Sequence, residues 1–457
     1  MSQQSLTLDV TRGLLDRARS ARFQFGADTA LVAVQHMLLQ TVDLFDIAGA
    51  MGLDLKNMFA LGKVYSNNQT VIGLLRDRGV TVMEGNTPGP GEFHSSFERD
   101  VESFWHVVAE TLAHRSIKRI LVLDDGGVCI ANAPLEVLRR YAACGVEQTS
   151  NGIFLFDSRP PPFAVISWAR SAVKLQIGGP IFAQCFMEKL NREFLGGRST
   201  HGEQLGIIGM GSMGRALAKL ALRQGYTVFF YDPVPDVHIP PRLRGIINRT
   251  DSLEELMISS DYVAGCSGRN PFKDEWPLNH RPGIKLLSVS AGDQEFGPII
   301  DDLKTKPDFE IEPETWTITS PHGPSGPIQV AYLGYPYTFV SRAPEAVPTQ
   351  IVQLESGGLL AALVQARIHL EMCETDPQHN KNLRRVSPQA QRFVYETWLR
   401  TMKEQGIDLM ETFGYDAELL NATQSDDWFT EHTEPREIEL DAIDRMVEER
   451  MAEFCLS

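Results

Sequence analysis

The stretch GIIGMGSMG at residues 206–214 has the residue types and spacing of a phosphate-binding turn. Gly209, Gly211 and Gly214 lie between an apolar run typical of a strand and the helical pattern RALAKLALRQG. Gly209 allows a tight turn, Gly211 lets the backbone approach a pyrophosphate, and Gly214 lets the helix pack on the strand. The N–H groups at the start of that helix attract phosphate oxygens. A glycine-rich turn without a ligand is the alternative.

An acidic residue follows the glycine turn at the distance that dinucleotide recognition requires. Asp232 ends the next predicted strand, YTVFFYD. Its carboxylate can accept hydrogen bonds from the adenosine ribose hydroxyls and repels a 2′-phosphate, which favours NAD over NADP. We therefore predict an NAD site formed by Gly209, Gly211, Ser212, Met213, Gly214 and Asp232.

Three further residues carry groups that can take up or release a proton. Asp125 belongs to LDDGG, where an apolar strand stops, so its side chain is expected to face the crevice at the carboxyl edge of a sheet. His36 lies in the apolar run LVAVQHMLLQ, and Lys174 lies in SAVKLQIGG. The alternatives are a turn-capping aspartate, a buried structural histidine and a solvated lysine.

The elements that position these residues follow the order of an α/β protein. Residues 31–52 have helical apolar spacing, and LKNMFALGKVY then predicts a strand. Helices and strands alternate up to the DDGG turn and again after residue 205, which predicts two domains with parallel sheets, the second a Rossmann NAD-binding domain. The predicted units are a substrate domain, the NAD domain and a C-terminal helical segment that returns to the first domain, at residues 1–185, 186–345 and 346–457.

The composition limits the partners and the compartment. The chain has 457 residues and a net charge of −16, without the basic patch that nucleic acid or an anionic membrane requires. No apolar run approaches the ~20 residues that span a bilayer, and no secretory signal pattern is present. The six cysteines lie far apart without metal-ligand spacing, so neither a metal nor a disulfide framework is predicted. We expect a cytoplasmic protein that acts on a small molecule.

The order of several motifs resembles that of the S-adenosylhomocysteine hydrolases. HMLLQTVDL at 36–44, LDDGG at 123–127, GVEQTSNG at 145–152, the glycine turn and Asp232 occur in that family's order and rough spacing. The resemblance implies a tightly bound NAD and a homo-oligomer, either a dimer or a tetramer. It also implies hydride transfer at a secondary hydroxyl of a nucleoside-like or other small metabolite.

The same resemblance assigns roles to individual residues. His36 matches the family's histidine in HM, Asp125 a base or orienting carboxylate beside the substrate, and Lys174 a lysine that assists at the reacting hydroxyl. Thr149 and Ser150 match part of the threonine run that contacts the nicotinamide end of NAD. The implied catalytic set is therefore Asp125, His36 and Lys174.

Other positions depart from the family's pattern. Its threonine after HM is Leu38, its sugar-binding glutamate is Gln148, and a carboxylate beyond the lysine is Gly178. The histidine of its GHF motif falls at Ala291. Replacing a carboxylate with glycine removes a proton acceptor and a charge, and no residue near Gly178 in the sequence restores them. These departures indicate a divergent member with another substrate.

Two other functions remain open. A non-catalytic NAD-binding scaffold or sensor is favoured by the departures just described. A D-2-hydroxyacid dehydrogenase-like oxidoreductase is suggested by TSPHGPSG, in which His322 matches the PHxxG histidine of those enzymes. Ala291 stands where the arginine of those enzymes is expected, which disfavours this third function.

Overall fold

The computed structural model describes residues 8–86, 89–272, 275–290, 292–340, 343–373, 383–425, 427–434 and 441–456, and the side chain of His322 lies outside this description. These residues form two sheets covered by helices, with a Rossmann-like second unit and C-terminal helices. The predicted fold class is confirmed. Ala291 lies outside the described residues.

The first sheet has seven strands, all parallel. Six of them are β1 (Thr29–Met37), β2 (Met58–Asn67), β3 (Thr81–Glu84), β4 (Arg119–Asp124), β5 (Ala142–Glu147) and β6 (Val165–Ser167). Their order in space is β6-β5-β4-β1-β2-β3, and a strand from the C-terminal part pairs with β6. The direction of chain progression reverses between β1 and β4, which is where open α/β sheets bind ligands.

Among the described residues, seven α-helices belong to this part of the chain. They are α1 (Asp9–Ser20), α2 (Leu39–Ala50), α3 (Gln69–Asp77), α4 (Phe93–Leu112), α5 (Val128–Ala131), α6 (Leu135–Leu138) and α7 (Ser150–Ser158). They cover both faces of the first sheet. One apolar core includes side chains of α1 and α2, and the other includes side chains of α4 and α7.

The prediction of one helix over residues 31–52 is wrong in its first part. Residues 29–37 form β1, and the helix α2 begins only at Leu39. All nine residues of β1 are buried because helices cover both faces of the sheet. A strand buried on both faces is apolar throughout, so its sequence lacks the alternation that distinguishes a strand from a helix. His36 consequently lies at the carboxyl end of a strand.

The second sheet contains eight strands. They are β7 (Gln204–Ile208), β8 (Thr227–Tyr231), β9 (Asn248–Arg249), β10 (Tyr262–Gly265), β11 (Ile284–Ser288), β12 (Glu310–Glu312), β13 (Thr317–Gly323) and β14 (Gly326–Val330). Their order is β12-β13-β14-β11-β10-β7-β8-β9. The pairs β12–β13 and β13–β14 are antiparallel, and the other pairs are parallel. The order reverses between β7 and β10, and the glycine turn follows the end of β7.

Four helices accompany the second sheet. They are α8 (Gly179–Leu190), α9 (Ser212–Arg223), α10 (Leu253–Ile258) and α11 (Gly297–Leu303). A π-helical segment, Val173–Gly178, leads directly into α8. This segment carries Lys174 and joins the end of the first sheet's strands to the helix that begins the second unit.

The C-terminal part returns to the first sheet. Its elements are α12 (Thr349–Cys373), β15 (Leu383–Arg385), α13 (Pro388–Glu404), α14 (Leu409–Phe413), α15 (Ala417–Ala422), α16 (Trp428–Glu431) and α17 (Ala442–Leu456). The helix α12 is buried along almost its whole length and packs on β5, α1 and α2. The strand β15 was not predicted. The unit boundaries after residues 185 and 345 stay a prediction.

Candidate active site

The glycine turn and the DDGG turn line one cavity between the two sheets, with a volume of about 550 Å³. Because each turn follows a strand at the point where its sheet reverses order, the two ligand-binding edges face each other. The predicted site residues that line this cavity are His36, Asp125, Thr149, Ser150, Lys174, Gly211, Ser212 and Met213.

The glycine turn has the shape that a pyrophosphate requires. Gly209 has φ +92°, which favours glycine, and a Cβ at Gly214 would stand 2.0 Å from the carbonyl oxygen of Gly209. A Cβ at Gly211 would meet nothing within 4 Å, so its backbone is open to a ligand. The N-terminus of the 12-residue helix α9 follows. These features fit the phosphates of a dinucleotide.

Asp232 lies directly after β8 and connects this strand end to the glycine turn. Its Oδ2 accepts the N–H of Met210 at 2.7 Å, and its Oδ1 accepts the N–H of Val234 at 2.9 Å. The carboxylate therefore helps to fix the turn. Its predicted contact with the adenosine ribose stays a prediction.

A buried glutamate supports the loop on the other side of the cofactor cleft. Glu295 accepts hydrogen bonds from the N–H and hydroxyl of Ser267, at 3.0 and 2.7 Å, and from the N–H of Gly268 at 3.2 Å. Burial raises the pKa of Glu295 above its usual range. Ser267 and Gly268 line the cavity, so Glu295 fixes its wall from behind. No local sequence pattern predicts this role for Glu295.

Asp125 is the centre of a charged cluster on the opposite wall. Its Oδ1 contacts the Lys63 ammonium, and its Oδ2 is 3.3 Å from Nε2 of His36. Gln148 also donates a hydrogen bond from Nε2 to Oδ2. Burial by itself would raise the pKa of Asp125, but Lys63 and His36 hold it well below its usual range. Asp125 is therefore a buried, ionised carboxylate.

His36 is fixed by partners from both sheets. Its Nδ1 lies 2.7 Å from the hydroxyl oxygen of Ser66, at the end of β2. Its ring stacks on Phe339, with ring centroids 4.3 Å apart and an interplanar angle of 4°. Phe339 follows the last strands of the second sheet. The imidazole is thus oriented by one contact within the first sheet and by one that exists only when the two sheets are assembled.

Lys174 is paired with a carboxylate that is distant in sequence. Its Nζ lies 2.8 Å from Oε2 of Glu355, on α12. No residue near Gly178 in the sequence supplies the carboxylate absent there, but α12 brings Glu355 to that place. A Cβ at Gly178 would stand 2.7 Å from Oε1 of Glu355.

Thr149 and Ser150 begin the helix α7 at the cavity wall. The Thr149 side chain accepts the N–H of Gly152 at 3.0 Å and donates from its hydroxyl to Glu147 at 2.7 Å. Asp124 caps the neighbouring turn by accepting the N–H of Ile130 at 2.8 Å, and burial raises its pKa to about 7. These contacts shape the wall, while the predicted contact with nicotinamide stays untested.

Four residues of this site escaped prediction from the sequence: Lys63, Gln148 in its present role, Phe339 and Glu355. Only Lys63 carried a usable signal, because a lysine inside the apolar strand LGKVY must have a partner if it is buried. The others come from segments whose position depends on tertiary packing. No group of three or more His, Cys, Asp or Glu side chains placed to hold a metal occurs in the described part of the chain.

A family model matches part of the chain. Residues 183–271 match the D-isomer specific 2-hydroxyacid dehydrogenase, NAD binding domain. This segment contains the glycine turn and Asp232. NAD is therefore the cofactor of this domain, as predicted.

Similar proteins give little further information on function. Two uncharacterized proteins of Mycobacterium tuberculosis, from strains CDC 1551 / Oshkosh and ATCC 25618 / H37Rv, are each 28% identical over 304 residues, which is 66% of this chain. The chain spans 58% of the length of these curated relatives.

Solved structures of dehydrogenases are also similar in part. The NAD⁺-bound 3-phosphoglycerate dehydrogenase of Entamoeba histolytica is 11% identical, with 77% of this chain and 97% of that chain covered and a TM-score of 0.35. The D-lactate dehydrogenase of Escherichia coli is 12% identical, with 60% and 78% covered and a TM-score of 0.29.

The predicted membership in the S-adenosylhomocysteine hydrolase superfamily is wrong, and so is the function derived from it. The family model that matches residues 183–271 is that of the D-2-hydroxyacid dehydrogenases. Glycine turns and aspartates at the carboxyl edge of the sheet recur in many doubly wound proteins, because this edge is where such sheets bind ligands. Their order therefore did not identify a substrate. The D-2-hydroxyacid dehydrogenase-like function, the third considered from the sequence, is better supported.

No helix among the described residues has the length and apolar character needed to cross a bilayer.

Proposed function

We propose that this protein is an NAD-dependent oxidoreductase of the D-2-hydroxyacid dehydrogenase type, which interconverts a small 2-hydroxy acid and its 2-keto acid. The observation that carries the proposal is the buried His36–Asp125 pair, which lines the same cavity as the glycine turn. The family whose NAD-binding domain matches residues 183–271 supports the reaction class.

The proton step is assigned to His36 and Asp125. When bound, NAD supplies the hydride acceptor for alcohol oxidation and the hydride donor for the reverse reaction. We assign uptake of the proton of the substrate hydroxyl to His36, and Asp125, whose Oδ2 lies 3.3 Å from Nε2, stabilises the imidazolium that forms. Because Lys63 already balances the charge of Asp125, the cluster is neutral while His36 is neutral. His36 is thus ready to accept the proton released by an alcohol.

A 2-hydroxy acid also needs a cation for its carboxylate. Arg170 and Lys174 line the cavity, but each is paired with a carboxylate, at 2.9 and 2.8 Å. Arg215, in the first turn of α9, lines the same cavity and donates a hydrogen bond to the carbonyl oxygen of Met210 at 3.2 Å. We assign the substrate carboxylate to the Arg215 guanidinium.

The proposal is tested by NADH oxidation with a panel of small 2-keto acids. We expect D125N to lower kcat/KM by at least about 100-fold, because the imidazolium loses its counter-charge. NAD affinity, measured by fluorescence titration, should stay nearly unchanged. The matched control is D46N. Asp46 lies outside the cavity, and its Oδ1 is 2.6 Å from Nε of Arg78. R215M should raise KM for the keto acid more than KM for NADH.

Two outcomes would contradict the proposal. Wild-type activity in D125N would remove the His36–Asp125 pair from the mechanism. A protein that binds NAD but turns over none of the keto acids would be the non-catalytic scaffold or sensor considered from the sequence. The assembly into a dimer or tetramer stays a prediction, and sedimentation velocity can measure it. The cytoplasmic location also stays a prediction.

A further inference from the structure

One buried carboxylate in the cavity wall has an oxygen without a partner. Glu355 is 8% exposed, and its Oε2 accepts hydrogen bonds from Lys174 Nζ at 2.8 Å and Trp168 Nε1 at 2.7 Å. Its Oε1 is buried and accepts no hydrogen bond within the described ranges. A buried acceptor left unpaired is costly, so such atoms are normally satisfied by protein, water or ligand.

The space for Oε1 is created by a glycine. A Cβ at Gly178 would stand 2.7 Å from Oε1 and 3.6 Å from Cδ of Lys174. Any larger residue would therefore displace the carboxylate. Gly178, Lys174 and Glu355 all line the cavity that contains His36 and Asp125. The three residues form one arrangement, which we name the Lys174–Glu355 subsite.

The charges of this subsite select its ligand. Lys174 is 26% exposed, and its Nζ lies 4.9 Å from the ring centroid of Phe182. An ammonium has three N–H donors, so Lys174 has donors beyond the one given to Glu355. The pair is neutral overall. An anion would be repelled by Glu355, and an ammonium group would be repelled by Lys174. A neutral hydroxyl suits both, because it donates to Oε1 and accepts from Nζ.

We propose that the Lys174–Glu355 subsite binds a second hydroxyl of the substrate, one that does not react. This inference rests on the proposed function for the reaction at the neighbouring carbon. It narrows the substrate class to 2-keto acids that carry a further hydroxyl, and to the corresponding dihydroxy acids. Glu355 is then a specificity-determining residue.

The test compares 3-hydroxypyruvate with 2-oxobutanoate, which differ by a hydroxyl in place of a methyl group. We expect wild-type kcat/KM with NADH to favour 3-hydroxypyruvate by at least about tenfold, since an unpaired buried polar group penalises the methyl analogue. E355Q replaces the acceptor and should bring the ratio of the two kcat/KM values close to one. The control is E404Q, because Glu404 is exposed and does not line this cavity.

A second variant leaves the carboxylate in place. G178A adds a Cβ that must push Oε1 aside, so it should reduce the same ratio although Glu355 is present. If E355Q does not fold, as judged by thermal unfolding, the ratio measured in G178A decides. An unchanged ratio in a folded G178A and a folded E355Q would overturn the subsite.

A binding measurement separates this inference from the proposed reaction. D-glycerate and D-2-hydroxybutanoate are titrated by calorimetry into NAD-saturated H36N, in which the chemistry is blocked. If wild-type protein reduces neither keto acid but H36N prefers D-glycerate, and H36N/E355Q does not, the proposed function fails and the subsite stands. If both keto acids are reduced equally and neither alcohol is preferred, the subsite is overturned and the function stands. Absence of both turnover and binding overturns both.

Discussion

At the scale of single residues, one ion pair decides the chemistry of the cavity. Asp125 is 4% exposed, yet it is ionised because Lys63 and His36 compensate for the loss of water. Lys63 is itself 2% exposed, and Asp125 keeps its pKa above the usual range although burial opposes this. The two charges are therefore mutually dependent.

Removing Lys63 should change the pH dependence of the reaction. In K63M, the Lys63 charge no longer offsets the burial of Asp125, so the pKa of Asp125 rises. We expect the acidic limb of the kcat/KM profile to move to higher pH by about one unit or more. K118M, which changes an exposed lysine of the same part of the chain, is the control. A loss of activity that is equal at every pH would instead indicate a structural role for Lys63.

At the scale of elements, the ends of parallel strands bring the functional groups together. His36 lies at the carboxyl end of β1, and Asp125 follows β4, the neighbour of β1 in the sheet. The glycine turn follows β7, and Ser267 lies two residues after β10, the neighbour of β7. Both pairs lie where strand order reverses, since only there do the following segments diverge and leave a crevice.

Two glycines of one turn should respond differently to alanine. G211A adds a Cβ with nothing within 4 Å, so the protein should fold normally while NAD affinity falls by about tenfold or more, because the methyl group occupies the approach of the pyrophosphate. G214A places a Cβ 2.0 Å from a backbone oxygen and should lower the free energy of unfolding by about 1–3 kcal/mol. Thermal unfolding and NAD titration measure the two effects. Normal NAD affinity in G211A would place the cofactor elsewhere.

At the scale of the whole molecule, the site is complete only when separate parts of the chain meet. Phe339 stacks on His36 across the cleft, and α12 returns from the C-terminal part to place Glu355 beside Lys174. The hydroxyl of Ser212, in the first turn of α9, also contacts the carbonyl oxygen of Leu175. These contacts hold the glycine turn, Lys174 and His36 in place relative to one another.

Global stability should depend on pH through a buried aspartate outside the cavity. Asp43 is 1% exposed, and burial raises its pKa to about 6, although Thr11 donates a hydrogen bond to it at 2.6 Å. The folded protein then holds a proton that the unfolded chain releases. The stabilisation is therefore full below about pH 4 and is lost as pH rises through about 6, by about 3 kcal/mol at most.

The measurement is urea unfolding of wild type and D43N at several pH values. D43N keeps the acceptor for Thr11 but cannot ionise, so it should gain stability relative to wild type between about pH 4 and 7. D16N, which changes an exposed aspartate of α1, is the control. A constant difference between wild type and D43N over this range would refute the assignment to Asp43.

The sequence by itself determined the local parts of this protein. The α/β order and the glycine turn depend on periodicity and on glycine conformation, which neighbouring residues specify. The position of Asp125 at a sheet edge was likewise predictable, because apolar strands end where polar and glycine residues begin. The strand at residues 29–37 was missed, since burial on both faces removes the alternation that marks a strand.

Only the tertiary structure decided which side chains share the site. Lys63 with Asp125, Phe339 with His36 and Glu355 with Lys174 are separated by 62, 303 and 181 residues, respectively, in sequence. No local pattern specifies such pairs, because they depend on which segments pack against each other across the cleft. The same motifs at strand ends serve unrelated substrates, so their order suggested the wrong family. Substrate choice depends instead on the groups that packing adds to the edge of the sheet.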